Sequence, residues 1–135
     1  AEELDNEIIS LFFGKKKEQG KSNLLKKLKI DINNYCLGKK VIWNYSLKIS
    51  GTKLQKNIWN ELKKIPYGKN ISYGKIATKL KTSPRYVGKV CGQNKHLLII
   101  PCHRVIRNDG KLGGFSGLGG LVLKKRLLNL ENYLK

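Results

Sequence analysis

The chain has 135 residues, 40% of them hydrophobic, which is enough for one ordinary domain or two small lobes and excludes a large multidomain enzyme. Its 28 lysines and arginines against 9 acids give a net charge of +19, far beyond what solubility needs, and this points to a polyanionic partner, most simply nucleic acid. No apolar run approaches the roughly 20 residues of a membrane span, the acidic opening Ala1-Glu2-Glu3 does not read as a signal peptide, and the absence of Met fits a removed initiator or a fragment.

In chain order, residues 2–13 read as a short helix carrying Leu4, Ile8, Ile9 and Phe12. Lys15 to Lys21 is a charged loop. Ser22 caps a second helix over residues 22–30, with Leu24, Leu25 and Leu28 on one face. Residues 40–49 alternate Val41, Trp43, Tyr45, Leu47 and Ile49 with mostly polar neighbours, which predicts a strand or extended stretch that Gly51-Thr52 breaks. From residue 53, Leu54, Ile58, Leu62 and Ile65 recur at helical spacing until Pro66-Tyr67-Gly68 stops the helix. Ser72 caps a helix over residues 72–80. After a short break, Ser83-Pro84 starts another that runs to about Gly92, with Val87, Val90 and Cys91 inward. The apolar run Leu97-Leu98-Ile99-Ile100 reads as a short buried strand. A Gly-rich loop follows over residues 110–120, and a helix over residues 121–133 closes the chain with Leu123, Leu127, Leu130 and Glu131.

Charge is uneven along this order. Residues 62–135 hold 16 basic residues and two acids, Asp109 and Glu131, so this half is the electrostatic footprint. Within it, two helices joined by a tight break, the second with Arg85, Gly88 and Lys89 outward, form a helix-turn-helix signature. Any helical hairpin on a Lys-rich chain shares part of that look, and Lys89 fits a solvated charge equally well. Arg85 is more telling, as one of only four arginines. The cysteines are Cys36, Cys91 and Cys102, an odd count with no Cys-x-x-Cys pair, and the histidines are His96 and His103. Neither a disulfide framework nor a zinc site follows, no metal is expected, and a reducing compartment fits best.

The chemistry concentrates at Cys102, where the apolar run stops at a proline beside a histidine and an arginine. A thiol becomes a nucleophile when neighbouring cations or proton acceptors lower its pKa, and a carboxylate can orient the imidazole. Glu131 is the acid available on a mostly apolar helix. A buried structural thiol and a satisfied core histidine are the ordinary fates of such residues taken singly. The pair beside a Gly-rich loop favours catalysis.

Pro101-Cys102-His103-Arg104-Val105 resembles the active-site motif of the O6-alkylguanine-DNA alkyltransferases, the suicide proteins of direct DNA repair. The resemblance extends through Ile65-Pro66-Tyr67-Gly68, Ile71-Ser72-Tyr73-Gly74, Arg85-Tyr86-Val87-Gly88-Lys89-Val90, Gly92-Gln93-Asn94, Gly113-Gly114-Phe115-Ser116-Gly117 and Lys124-Lys125-Arg126-Leu127-Leu128-Asn129-Leu130-Glu131. It covers roughly residues 51–131. It implies an α/β fold: a small N-terminal lobe over residues 1–50, ribonuclease-H-like in the family and shortened here, and a helical, winged-helix-like DNA-binding domain over residues 51–135. It implies that Cys102 accepts an alkyl group from O6 of guanine, with O4 of thymine as a further candidate atom. His103 acts as base through a water, and Glu131 holds His103. Tyr73 donates to N3 of the leaving guanine, and Asn94 stabilises the turn into the active-site segment. Cys102 and Val105 read the guanine edge through their backbones. Phe115, Ser116 and Gly117 wall the pocket. Arg85 enters the base stack, and Ser83, Pro84, Gly88, Lys89, Gly74 and Asn108 complete the DNA-facing set. The partner this implies is double-stranded DNA gripped through the minor groove by a monomer, without a cofactor or a membrane, and the expected location is the cytoplasm, or the nucleus if eukaryotic.

The physics fits these roles. A stacked base hides its O6, so the nucleotide must rotate out at a cost of a few kcal/mol, and a side chain inserted into the stack offsets part of it. The sequence departs from the family at Asn94-Lys95-His96-Leu97, where prolines are usual and a looser segment results. It departs again at Cys91, where a small or apolar residue is usual; the cysteine reads either as packing or as a second reactive thiol near the DNA face. The β-hairpin sheet that opens the family's N-terminal lobe is expected to be absent or shortened. Three rival readings share the composition: a lesion sensor that binds alkylguanine without accepting the group, a winged-helix regulator, and a basic RNA- or ribosome-associated protein. Cys102 argues against the first, and the Cys102–His103 pair with Glu131 against the others.

Overall fold

The computed structural model describes residues 1–12, 22–113 and 120–132. The chain opens with an antiparallel hairpin, β1 (Glu2–Leu4) and β2 (Glu7–Ser10), in place of the helix expected over residues 2–13. The turn decides it. Asp5 and Asn6 sit at φ 51° and 63°, and two consecutive left-handed residues form the hairpin turn whose twist matches the flanking strands. Asp and Asn tolerate that region better than other non-glycine residues. Ile8 is fully buried, so the apolar spacing served one strand face rather than a helical stripe.

Helix α1 (Asn23–Cys36) starts where Ser22 was expected to cap it, its hydroxyl accepting from Leu25 N, and runs a turn and a half beyond the residues 22–30 anticipated. Residues 40–49 keep the expected in-out alternation, but as an extended arm rather than a strand of a ladder. Two bonds fasten it to β2: Ile8 N donates to Ser46 O at 2.8 Å and Lys48 N to Ile8 O at 2.9 Å.

Three helices follow: α2 (Lys53–Lys63), α3 (Tyr73–Leu80) and α4 (Pro84–Gly92). Thr52 and Gln55 close a reciprocal capping box on α2. The hydroxyls of Ser72 and Ser83 accept from Lys75 N and Tyr86 N, as their positions before each helix require. Lys81 ends α3 in the left-handed region at φ 57°, turning the chain sharply into α4. Ile58, Trp59, Leu62, Ile76, Val87 and Val90 fill the space between the three helices.

The run of residues 97–100 is not a strand. Leu98 sits at φ 71° and Ile100 N donates back to His96 O at 2.9 Å, so the segment is a compact turn. A strand presents only two faces. This turn sends Leu97 and Ile100 into the three-helix core, Ile99 toward Ile8 and Leu28, and Leu98 toward Tyr35 and Leu127. Residues Cys102–Arg104 then make one 3-10 turn, and β4 (Val105–Ile106) pairs in parallel with β3 (Ile71–Ser72), a contact the sequence pattern did not announce. Helix α5 (Gly120–Asn132) packs against the Cys102–Arg104 turn. Among the described residues, no helix is long and apolar enough to cross a membrane.

Candidate active site

Glu131, 1% exposed on the inner face of α5, is the node of the site. Its Oε2 accepts from His103 Nε2 at 2.5 Å, from Tyr35 Oη at 2.6 Å and from Arg104 Nη2 at 3.1 Å. Its Oε1 accepts from Arg104 Nε at 2.7 Å and from Gly68 N at 3.2 Å. Burial alone would raise this carboxyl, but the donors from His103, Arg104 and Tyr35 outweigh it and hold the group at about 2. Arg104 is fixed further by donating to Ile65 O at 2.8 Å. Burial pulls the His103 imidazole down against the upward pull of Glu131, so the contact is a neutral ring donating to a carboxylate. With Nε2 carrying the proton, Nδ1 is the unprotonated nitrogen, as a general base requires.

Cys102 is 4% exposed, in the same 3-10 turn as His103. Burial raises its thiol, and a hydrogen bond with Asn94 and the charge of Lys124 work against that rise. It lies at an open cleft of about 1100 Å³ that Tyr73, Arg85, Gly88, Asn108 and Gly113 also line. Tyr73 is kept protonated chiefly by burial. Its oxygen accepts from Lys124 Nζ at 3.2 Å, which leaves its own O–H to donate. Lys124 has no exposed surface; it donates to Val105 O at 2.6 Å and Leu112 O at 2.5 Å, tying the active-site strand to the segment over residues 107–113. Gly113, at φ 72°, lies so close that a Cβ would stand 3.0 Å from Tyr73 Cε2.

Asn94 holds the turn before the site: its Nδ2 donates to Ile100 O at 2.8 Å and its Oδ1 accepts from His96 N at 2.8 Å. Where the family has prolines, this chain uses the N-terminal hairpin instead. Leu11 N donates to Lys95 O at 2.7 Å, Leu97 N to Leu11 O at 2.9 Å, and buried His96 bonds Ile8 O through Nε2 at 2.8 Å. Val105, expected to read the guanine edge through its backbone, has a fully buried side chain, pairs with Ile71, and its carbonyl accepts from Lys124. On the outer side, Ser83, Pro84, Arg85 and Lys89 are exposed on α4 and its cap, and Asn108 Oδ1 accepts from Gly74 N at 3.1 Å. Phe115, Ser116 and Gly117 lie outside the described residues.

Cys91 also lines the cleft, but burial pushes its thiol up to about 12, so it is not an activated nucleophile. Cys36 is exposed, and all three cysteines are free. Among the described residues, no cluster of three or more His, Cys, Asp or Glu could hold a metal ion. Sequence reasoning missed Tyr35, Arg104 and Lys124 as members of this site. Lys124 was within reach, because positions 124, 127, 128 and 131 form one helical stripe and all four are buried.

Residues 53–133 match the family described as 6-O-methylguanine DNA methyltransferase, DNA binding domain. The chain belongs to this family. A methylated-DNA–protein-cysteine methyltransferase of Sulfolobus acidocaldarius is 46% identical over 99 residues, 73% of this chain and 62% of that protein. The chain thus spans about three fifths of the length of that methyltransferase. Its fold is similar to the crystal structure of Mycobacterium tuberculosis OGT in complex with DNA, with a TM-score of 0.75 at 38% identity over 80% of this chain and 67% of that one. It is also similar to an O6-methylguanine DNA methyltransferase from Methanococcus jannaschii, with a TM-score of 0.73 at 30% identity over 95% and 84% of the two chains. The mixed architecture of helices and small sheets is that of these methyltransferase structures.

Proposed function

We propose that this protein repairs DNA by direct reversal, accepting one methyl or larger alkyl group from O6 of guanine onto Cys102 and then working no further. The observation that carries the reading is Cys102 at a cleft floor, with neutral His103 beside it anchored to a buried carboxylate, in a chain of the methyltransferase family. The Cys102 proton passes through a water to His103 as the sulfur attacks the alkyl carbon. The O6–carbon bond breaks and its electron pair stays with guanine, whose N3 takes a proton from Tyr73. The product is a thioether, which is stable, so no turnover follows and no cofactor is needed.

We take the DNA-facing side from the family resemblance, and the exposure of α4 at the cleft supports it. Arg85, exposed in the first turn of α4 at the cleft edge, fills the gap left by the flipped nucleotide. Gly88 and Asn108 line the same opening, and Gly74 joins them through its hydrogen bond to Asn108; we assign Ser83, Pro84 and Lys89 to the DNA backbone and, by family resemblance, the minor groove to this face. Phe115, Ser116, Gly117 and Val105 belong to the pocket by family resemblance. We divide the chain into a short ribonuclease-H-like lobe over residues 1–50 and a winged-helix-like domain over residues 51–135. The α3–turn–α4 unit and the β3–β4 pair support the second, and the hairpin with α1 supports the first. A monomer in a reducing, DNA-containing compartment fits the three free cysteines.

Intact mass and peptide mapping after incubation with duplex DNA carrying one O6-methylguanine test this. One methyl on the peptide holding Cys102, saturating at one per protein, is the expected result. Tight binding without a mass gain would replace the reading with a lesion sensor, and the absence of both a binding preference and a mass gain would refute it outright.

A further inference from the structure

We propose that Tyr35, carried on α1 in the N-terminal part of the chain, is a positioning residue of the reaction: its phenol sets the basicity of His103 by sharing Oε2 of Glu131 with the imidazole. The inference rests on the function proposed above and adds a residue to its machinery. Tyr35 lies 96 residues before Glu131 in sequence, yet it is 1% exposed and its hydroxyl donates to Oε2 at 2.6 Å, next to the 2.5 Å bond from His103. The ring itself belongs to an apolar cluster with Leu98, Leu127, Val41 and Trp43, where phenylalanine would pack as well. Only the hydroxyl needs an explanation, and Glu131 supplies it. Tyr67 makes the contrast: its ring stands edge-on to Tyr35 at 6.2 Å, but its buried hydroxyl has no partner among the described residues.

The electrostatic consequence follows from one oxygen serving two short donors. Each hydrogen bond to a carboxylate disperses its charge, and what remains determines how strongly it stabilises an imidazolium. Removing the phenol leaves more negative charge on the oxygen that faces His103, so His103 holds a proton more tightly. The other groups facing this pair stay in place: Arg104 and Cys102 from the same 3-10 turn, Lys124 from α5, and Tyr67 and the Gly68 amide from the segment after α2. Tyr35 is the contribution of α1. Through it, the docking of the N-terminal part bears directly on the proton acceptor of the reaction.

Two substitutions move the effect in opposite directions. Tyr35→Phe deletes the donor; Tyr35→3-fluorotyrosine makes it a stronger one with almost no change of shape. Two readouts apply: the titration of His103 followed by imidazole NMR, with His96 as the internal control because the chain has two histidines, and single-turnover methyl transfer as a function of pH. Tyr35→Phe should raise the His103 midpoint and the acid limb of the rate profile by roughly half a unit to one unit, a threefold to tenfold loss of rate on that limb, with His96 unmoved. The fluorinated tyrosine should lower both. Midpoints that coincide with those of the unsubstituted protein, or a uniform fall in rate at every pH, would overturn the proposal, because a packing role predicts only the latter. If Tyr35→Phe does not fold, the fluorinated variant decides alone. Failure of the unsubstituted protein to accept methyl would refute the function itself, and is distinct from any result on Tyr35.

Discussion

Replacing Glu131 by glutamine should cost about 3–5 kcal/mol of stability, because it leaves the Arg104 guanidinium buried without its counter-charge. The amide also turns a donor toward N–H and O–H groups that need acceptors, since both carboxylate oxygens receive hydrogen bonds. A second route gives a similar figure. The carboxyl is held at about 2 against an ordinary 4.5, and a shift of that size corresponds to roughly 3 kcal/mol of stability. That is a large share of a total of about 5–15 kcal/mol for a domain. Because the folded protein holds this pKa down, the contribution is complete above the ordinary carboxylate range and is lost as pH falls through the folded value. The assay is urea unfolding of both proteins followed by circular dichroism at about pH 7, 5 and 3. With a slope of about 1–2 kcal/mol per molar urea, the midpoint of Glu131→Gln should fall by roughly 1.5–5 M at neutral pH. The gap should hold at about pH 5 and narrow by about pH 3, as protonated glutamic acid comes to resemble glutamine. A neutral-pH difference under about 1 kcal/mol, or one unchanged on acidification, would refute the account of Glu131 as a charged, fully satisfied node.

Three further outcomes follow from the same geometry. Arg85→Ala, at an exposed position, should leave stability within about 0.5 kcal/mol, slow methyl transfer from duplex DNA by roughly tenfold or more, and spare transfer from the free O6-methylguanine base; equal effects on both substrates would remove Arg85 from base extrusion. On the native protein, iodoacetamide should label exposed Cys36 and leave Cys91, whose thiol is pushed up to about 12, untouched until urea is added; early labelling of Cys91 would contradict its inertness. Gly113→Ala combines a φ of 72° with a Cβ 3.0 Å from the Tyr73 ring, so it should cost about 1–2 kcal/mol in a thermal melt and slow single-turnover transfer; a wild-type melt and rate would show that Gly113 does not wedge against Tyr73.

The sequence made the middle of the molecule legible because its signals are local. Ser22, Ser72 and Ser83 each accept the backbone bond their position before a helix demands, and the periodicities of α2 to α4 match their buried faces. Two expectations failed where apolar spacing was ambiguous. Residues 2–13 satisfy a helical count, but Asp5-Asn6 in the left-handed region is the stronger constraint and folds them back as a hairpin. The run of residues 97–100 satisfies a buried strand, but three separate clusters each claim part of it. In the site, His103 and Glu131 meet as the family resemblance implied. Tyr35 was out of reach, since nothing local ties a tyrosine on α1 to a carboxylate 96 residues later. Arg104 was read as a neighbour of the thiol, whereas its guanidinium turns away to Glu131 and Ile65.

The protonation of Cys102 explains why such a cluster is worth its burial. A thiolate waiting in an open cleft would react with any soft electrophile or oxidant, and a protein that worked once, as proposed above, would then be consumed without repairing anything. Burial instead favours the thiol, and Asn94 and Lys124 only partly offset it. The nucleophile therefore has to be made when it is used, and a base must stand ready in the right tautomer. Neutral His103, fixed through Nε2 to Glu131, meets that requirement without moving. Burying Arg104 and Glu131 costs desolvation that apolar residues would avoid, but a looser carboxylate would let the ring turn or take up a proton beforehand. Lys124 extends the same logic to the leaving side, since it binds the Tyr73 oxygen and leaves the phenolic proton to face the cleft. On this reading the two proton positions, one to be filled at His103 and one to be emptied at Tyr73, are both set before the base arrives, and the alkylated guanine supplies the one component the site lacks.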